Sequence, residues 1–225
     1  MKSKWAAAWL LLLLLAGTGV AIGGIEADTQ AEYRAEDIYA RTHQAMFYVR
    51  VLNEDQTVKS VGSGAIIAAD GTASTAYHVV KDATRIEAVL SDGRTVGPVQ
   101  VLDYDERTDA AIIKLPAPGA KDPAYSVLEV REPSLQHGER IFAMGYPLKE
   151  TPIITEGIVN HPTATINGRS RILVSSEIVS GMSGGPLLDE QGRLAGVISG
   201  SLRTMNNIHL GISMEDLKAL KPFRR

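Results

Sequence analysis

The chain has 225 residues, of which 44% are hydrophobic and 22% charged, a composition typical of a globular protein with an apolar core. Its formal net charge of −3 gives no electrostatic reason to expect nucleic acid or an anionic membrane as a partner. The lack of cysteine excludes a disulfide scaffold, thiolate catalysis and cysteine-based zinc sites.

The N-terminus has the features of an export signal. Lys2 and Lys4 give a basic start, and a leucine-rich run and then small residues follow. Gly19-Val20-Ala21 fits a small-x-small cleavage site, yet residues 5–25 carry no charge and could also span a bilayer, which takes roughly 20 residues. We therefore expect residues 1–25 to be a signal peptide or an inner-membrane anchor, and the rest of the chain to be periplasmic or secreted. A buried N-terminal core helix is the alternative.

Residues 28–44 predict a short helix, and Met214–Leu220 predicts another at the C-terminal end. Between them, short β-branched runs recur, each bounded by Gly, Asp, Asn or Pro, a pattern typical of an all-β sandwich or barrel. The stretch Pro116–Pro123 is predicted to be a linker between two halves of about six strands each. The predicted strands are Met46–Leu52, Gly64–Ala68, Ser74–Tyr77, Thr84–Leu90, Arg94–Leu102, Ala110–Leu115, Arg140–Met144, Ile153–Asn160, Pro162–Ile166, Arg171–Ser176, Pro186–Leu188, Leu194–Ser201 and Ile208–Ser213.

The segment Gly181-Met182-Ser183-Gly184-Gly185 is a candidate nucleophile loop. Acyl transfer generates an oxyanion, and backbone N–H groups two residues apart both point at it only in an unusual backbone conformation. Gly181 and Ser183 would be those donors, while the two following glycines allow backbone and substrate to approach closely. A Gly-rich loop with a serine is also common in simple turns, so this segment alone leaves both interpretations open.

A serine nucleophile needs a base, and the base needs an orienting group. His78 has the best context of the five histidines because it stands at the end of an apolar strand, although a lone histidine there is usually structural. Asp109 directly precedes an aliphatic strand and is the candidate orienting group, although an aspartate there is often only a turn residue. His209, beside the C-terminal strand, is a weaker candidate for the substrate cleft.

These residues resemble those of chymotrypsin-like serine peptidases. His78, Asp109 and Ser183 occur in the chain order that this family uses, whereas α/β-hydrolases and subtilisins use other orders. Over roughly residues 36–220, the chain is similar to the HtrA (Deg) branch of the family. The segments that carry this similarity are Gly62-Ser63-Gly64, Tyr77-His78-Val79-Val80, Thr108-Asp109-Ala110-Ala111, Gly145-Tyr146-Pro147, Glu156-Gly157-Ile158-Val159 and Ser183-Gly184-Gly185-Pro186-Leu187.

The resemblance implies two six-stranded antiparallel β-barrels with short N- and C-terminal helices. The peptidase domain would span residues 26–225, with barrels over about 45–115 and about 124–214. Ser183 would attack the scissile carbonyl, His78 would take its proton, and Asp109 would fix the histidine tautomer. The substrates would be exported or unfolded polypeptides, and the chemistry calls for no metal, no organic cofactor and no nucleic acid.

Three features depart from the family pattern. Met182 stands where the family usually has Asp or Asn, so we expect no activation by N-terminal trimming, and the oxyanion loop is open to ordering by a substrate or partner. Members of the HtrA branch usually carry PDZ domains after the peptidase, whereas we expect the protease domain only. The oligomeric state of the family therefore does not carry over to this chain, and the sequence predicts none. Glu177 lies at the family's S1 pocket floor: a buried acid there would favour Lys or Arg at P1, whereas a solvated one would leave an aliphatic pocket to Ile178 and the strand that contains Ser199.

The sequence thus predicts an exported serine endopeptidase. A catalytically silent member of the fold, acting as a peptide-binding or regulatory module in the cell envelope, is the alternative, because fold alone does not settle function. An esterase fits less well. Gly181–Gly185 matches Gly-x-Ser-x-Gly only formally, since Pro186 and a β-like run follow where an esterase has a helix.

Overall fold

The computed structural model describes residues 33–149, 151–202 and 204–223. The expected signal peptide or anchor therefore lies outside the described residues. Within the described part of the chain, no helix is long and apolar enough to cross a membrane.

The first half of the chain forms a seven-stranded antiparallel sheet. Its order is β5-β4-β1-β2-β3-β7-β6, so that β3 and β7, which flank the candidate base and orienting group, are neighbours. The strands are β1 (Met46–Leu52), β2 (Val58–Ile66), β3 (Thr72–Ala76), β4 (Arg85–Leu90), β5 (Thr95–Val96), β6 (Gln100–Asp105) and β7 (Ala110–Lys114).

The second half forms a closed six-stranded antiparallel barrel in the order β10-β13-β12-β11-β8-β9. Its strands are β8 (Arg140–Leu148), β9 (Thr151–Ile166), β10 (Arg169–Val174), β11 (Pro186–Leu188), β12 (Leu194–Ser201) and β13 (His209–Ser213). The described residues also form three short helices, α1 (Ala35–Thr42), α2 (Tyr77–Val80) and α3 (Met214–Lys218), with a 3₁₀ turn over His43–Ala45 after α1.

The all-β prediction is confirmed, but of the two expected six-stranded barrels only the second is closed, and the first half is an open seven-stranded sheet. The structure also adds detail to the predicted strands. The predicted strand Arg94–Leu102 is divided into β5 and β6 around Pro98, because proline has no N–H to donate to a ladder. Two predicted strands, 153–160 and 162–166, are one long strand, β9. Pro162 is tolerated there because it lies where the β9–β10 pairing shifts register.

Strand β8 contributes to two cores because successive side chains point to opposite faces of a strand. Ile141 and Ala143 lie in the core of the barrel. Phe142 and Met144 alternate with them and belong to the larger core that contains Phe47 and the other buried residues of the first sheet. The first sheet and the barrel are thus packed against each other through one face of β8, and the candidate site lies where they meet.

Candidate active site

Asp109 is placed by the pairing of β3 with β7. The register aligns Ala76 at the end of β3 with Ala110 at the start of β7, so the next residues outward, Tyr77 and Asp109, are also neighbours. The Tyr77 N–H donates a 2.7 Å hydrogen bond to the Asp109 carbonyl. Asp109 has a positive φ of 65°, a conformation that aspartate tolerates better than most residues. This turn geometry directs its carboxylate back to the start of α2.

His78 does not end a strand, as the sequence suggested, but is the second residue of the four-residue helix α2. Its backbone N–H donates to Asp109 Oδ1 at 2.9 Å, and its ring Nδ1 lies 2.8 Å from Oδ2 and 3.1 Å from Oδ1. The side chain of His78 is 49% exposed, whereas that of Asp109 is 10% exposed. The imidazole is therefore anchored by its Nδ1 side, and its other edge is open to solvent.

The Asp109 carboxylate is held ionised in a buried position. Burial raises its pKa, but the hydrogen bond and charge of His78, together with a hydrogen bond from Ser199, outweigh burial, so that the pKa lies below the usual range. Ser199 Oγ donates to Asp109 Oδ2 at 2.6 Å. The carboxylate therefore accepts hydrogen bonds from both the first sheet and the barrel.

Ser183 lies on the loop before β11, on the barrel side of the site. Its hydroxyl donates to the Ser199 carbonyl at 3.3 Å, and among the described residues it makes no hydrogen bond to His78. The structure thus brings His78 and Asp109 into direct contact and connects Ser183 to them through Ser199. An adjoining cavity of about 430 Å³ has His78, Asp109 and Ser199 in its lining, together with Arg169 and Arg171.

The loop around Ser183 adopts a tight, glycine-dependent conformation. Gly181 and Gly184 have φ values of 95° and 87°, in the left-handed region that glycine favours. Within the described part of the chain, the Gly181 and Ser183 N–H groups donate to no protein acceptor. They are thus available to an external oxyanion, as an oxyanion hole requires.

Met182 is fully buried in the barrel core. Its side chain packs so closely on Gly145 of β8 that a Cβ at Gly145 would lie 2.8 Å from the Met182 Cβ. The methionine that replaces the expected Asp or Asn therefore attaches the loop to β8 by apolar packing.

The predicted pocket residues have contrasting environments. Ile178 is buried, whereas the Glu177 side chain is 62% exposed, which corresponds to the solvated alternative for this glutamate. His209, whose side chain is only 6% exposed, has its Nε2 at 3.6 Å from Glu177 Oε2 and its Nδ1 at 2.8 Å from Ser201 Oγ. Ser201 Oγ also donates to the Ile178 carbonyl at 3.1 Å, which ties the segment before Ser183 to the end of β12.

Two further residues support the site, and nothing in the sequence pattern distinguishes them as supporting residues. Arg171 is buried, and its guanidinium donates 2.9 Å hydrogen bonds to the Thr108 and Ser170 carbonyls. Ser63, in the segment that resembles the HtrA branch, lies against the oxyanion loop. Among the described residues, no cluster of three His, Cys, Asp or Glu side chains could hold a metal ion.

Comparison with known proteins agrees with this geometry. Residues 62–197, more than half of the chain, match the family model described as "Trypsin-like peptidase domain". The chain belongs to the trypsin-like peptidase family. The match begins in β2 and ends in β12, so it contains all three candidate residues His78, Asp109 and Ser183.

Individual relatives are proteases of the HtrA and DegP type. The chain is 34% identical over 167 residues to serine protease HTRA1 of Xenopus laevis, an alignment of 70% of this chain and 35% of that protein. It is 30% identical over 164 residues to a Pseudomonas putida protein described as "Probable periplasmic serine endoprotease DegP-like", covering 72% of this chain and 33% of that one. The alignments thus span about a third of the length of these relatives.

A solved serine endoprotease from Yersinia pestis has a similar fold. The two structures superpose with a TM-score of 0.70 at 25% sequence identity, over 83% of this chain and 64% of that one. The similarity confirms the chymotrypsin-like fold that the sequence predicted.

Proposed function

We propose that this protein is a serine endopeptidase in which His78, Asp109 and Ser183 form the catalytic triad. The observation that carries the proposal is the buried, ionised Asp109 carboxylate 2.8 Å from His78 Nδ1, with Ser199 bonded to both Asp109 and Ser183. Family membership supports the proposal, because all three residues lie within the segment that matches the trypsin-like peptidase domain.

The mechanism follows from the positions of these groups. The mechanism requires the Ser183 hydroxyl to leave the Ser199 carbonyl and to hydrogen-bond to the open edge of His78. Ser183 Oγ then bonds to the scissile carbonyl carbon as its proton passes to His78 Nε2, and Asp109 stabilises the resulting imidazolium. The carbonyl oxygen becomes an oxyanion held by the Gly181 and Ser183 N–H groups.

The second half of the reaction regenerates the enzyme. The C–N bond breaks as His78 gives its proton to the leaving amine, which leaves an acyl ester on Ser183. Water then adds to this ester by the same steps, with His78 accepting the water proton and returning it to Ser183 Oγ. No other co-reactant is required.

The substrate class is exported or unfolded polypeptide, cleaved by a peptidase domain over residues 26–225. The HtrA and DegP type of the relatives and the periplasmic description of one of them support this proposal. So does the signal-like sequence of residues 1–25, which would deliver the domain to the periplasm or outside, or hold it at the inner membrane. With Glu177 exposed to solvent, Ile178 and the strand that contains Ser199 would line an aliphatic primary specificity pocket.

A catalytically silent peptide-binding module is the second candidate. It is favoured by one observation: Ser183 Oγ donates to the Ser199 carbonyl and, among the described residues, to no basic side chain. Both candidates would bind peptides in the same cleft, so only covalent chemistry at Ser183 separates them.

Covalent labelling tests the proposal. The full chain is treated with a fluorophosphonate and analysed by intact mass, beside Ser183→Ala and a control, Ser74→Ala, which removes a buried hydroxyl that has no hydrogen-bond partner in the described structure. We expect one adduct on the wild type and on Ser74→Ala, and none on Ser183→Ala. A folded wild type that takes no adduct but still binds peptides would establish the silent module instead.

A further inference from the structure

Ser63 joins three segments of the site through one side chain. It lies in β2 of the first sheet and is completely buried. Its hydroxyl donates to the Gly181 carbonyl at 2.8 Å and accepts a 2.9 Å hydrogen bond from the Tyr146 N–H in β8. Its own N–H donates to the Ser183 carbonyl at 2.8 Å. Ser63 therefore contacts the residues that carry both candidate oxyanion donors.

The hydrogen bonds of the loop fix most of its peptide planes. The Ser183 N–H shares a plane with the Met182 carbonyl, which accepts a 2.9 Å hydrogen bond from the Gly185 N–H. The next plane is fixed because Ser63 and Ile198 bond to its two ends, the Ser183 carbonyl and the Gly184 N–H, at 2.8 and 2.7 Å. The orientation of the Ser183 donor is thus set within the loop itself.

The Gly181 donor is fixed less directly. Its N–H shares a plane with the Ser180 carbonyl, and within the described part of the chain neither group makes a protein hydrogen bond. The orientation of this plane thus depends on its neighbour, the plane between Gly181 and Met182. That neighbouring plane is held by the Ser63 hydroxyl at its carbonyl and by a 3.1 Å bond from its N–H to the Val179 carbonyl.

The conformational freedom of Gly181 makes this support necessary. Glycine loses more conformational freedom on ordering than other residues, and it tolerates φ values on both sides of zero. A Cβ at Gly181 would lie 2.8 Å from the Tyr146 carbonyl oxygen, so a bulkier residue that would restrict the backbone does not fit there. The Tyr146 N–H is itself bonded to Ser63 Oγ, so one hydroxyl positions both the loop and the strand on which it packs.

We propose that Ser63 is a positioning residue for the oxyanion hole, acting from the first sheet through the Gly181 carbonyl. It would hold the loop in place of the Asp or Asn that the family usually has at position 182. This inference rests on the proposed function, because in this protein the oxyanion forms only when Ser183 attacks a carbonyl. It assigns the task of an Asp or Asn at position 182 to a residue 119 positions earlier in the chain.

The test compares the wild type, Ser63→Ala and Thr42→Val in the full chain. Thr42→Val is the matched control because it also removes a buried hydroxyl with a short bond to a carbonyl, 2.7 Å to that of Ile38, at the N-terminal helix. The substrates are a peptide anilide and a peptide ester with its thionoester analogue. Sulfur accepts hydrogen bonds more weakly than oxygen, so the ester-to-thionoester ratio of kcat/KM reports on the hole itself.

For Ser63→Ala we expect kcat on the anilide to fall about 10- to 100-fold, since one complete oxyanion donor is worth about 100- to 1,000-fold. KM should change less than about twofold, and the ester-to-thionoester ratio should fall about tenfold. The pH profile of kcat/KM should keep its shape, because the pair formed by His78 and Asp109 is untouched. Thr42→Val should keep the wild-type ratio.

Unchanged kcat in folded Ser63→Ala, or a loss of kcat with the wild-type ester-to-thionoester ratio, would overturn the proposal while leaving the peptidase assignment intact. If the wild type fails to react with the fluorophosphonate or to turn over any substrate, the proposed function fails and this inference fails with it. Should Ser63→Ala not fold, Ser63→Cys replaces it, because the thiol keeps a weak donor. We expect its ester-to-thionoester ratio to lie below that of the wild type. A wild-type ratio in that variant would also overturn the proposal.

Discussion

The buried guanidinium of Arg171 donates a 2.9 Å hydrogen bond to the carbonyl of Thr108, the residue directly before Asp109. An arginine of the barrel thereby holds the turn of the first sheet that carries the candidate orienting carboxylate. Burial lowers the pKa of Arg171, and the charge of Asp109 opposes that effect.

Replacing Arg171 should therefore loosen the turn at Asp109. We expect Arg171→Met to lower the free energy of unfolding by about 2 kcal/mol, the usual scale for a lost hydrogen bond to a charged group. It should also reduce kcat/KM, because Asp109 must keep its left-handed conformation to reach His78. Urea unfolding measures the first effect. Arg169→Met, which changes an exposed arginine two residues earlier, is the control and should unfold like the wild type.

Ser199 is expected to contribute to catalysis through Asp109. Ser199→Ala removes the 2.6 Å bond to the carboxylate but leaves the backbone carbonyl that Ser183 contacts. We expect kcat to fall about 10- to 100-fold with little change in KM, since a hydrogen bond to a charged group contributes about 1.5–3 kcal/mol. Steady-state kinetics on a peptide anilide provide the measurement. A rise in KM at constant kcat would instead assign Ser199 to substrate binding alone.

The lowered pKa of Asp109 predicts how stability depends on pH. A carboxyl group whose pKa is depressed in the folded state contributes stability above its unfolded value of about 3.9, and the contribution is lost as pH falls through the folded value. The free energy of unfolding should thus decline on acidification below about pH 4. Asp109→Asn should show a shallower decline over that range. Parallel slopes for the two proteins in urea titrations at several pH values would contradict this assignment.

Two glycines with similar backbone angles should respond differently to the same substitution. A Cβ at Gly184 would overlap the Ser63 carbonyl oxygen and the Thr75 hydroxyl, whereas a Cβ at Gly168 would meet nothing within 4 Å. Since φ is 87° and 73° respectively, both alanine variants carry the left-handed strain of about 1–2 kcal/mol. We expect Gly168→Ala to cost only that amount and Gly184→Ala to cost about 3 kcal/mol or more, because overpacking is added. Thermal unfolding measures both, and equal losses would show that crowding at Gly184 is relieved by small shifts.

The strands were predictable because burial imposes a repeating pattern on local sequence. The bounds predicted for β1, β11 and β12 coincide with those observed, since apolar residues are concentrated in each of them. The helix at His78 was not predictable, because Val79 and Val80 are β-branched residues that favour a strand, whereas the hydrogen bonds of His78 to Asp109 come from a distant part of the chain.

The candidate site was predictable where chemistry constrains residue type, and unpredictable where support comes from distant segments. A histidine, an aspartate and a serine in a given order suggest a triad because few other side chains can perform those tasks. Ser63 and Arg171 meet their partners across 118 and 63 positions of the chain. Their local sequence does not predict these two contacts, because any serine or arginine in a strand has the same local pattern.

The alternation along β8 has a consequence for how the protein can be divided. Because Phe142 and Met144 complete the core of the first sheet, a fragment that ends at the Pro116–Pro123 stretch would lack part of its own interior. The second fragment would in turn display those two side chains to water. The halves are therefore expected to melt in a single cooperative transition, and a gene cut between them should yield two polypeptides that gain structure only when mixed.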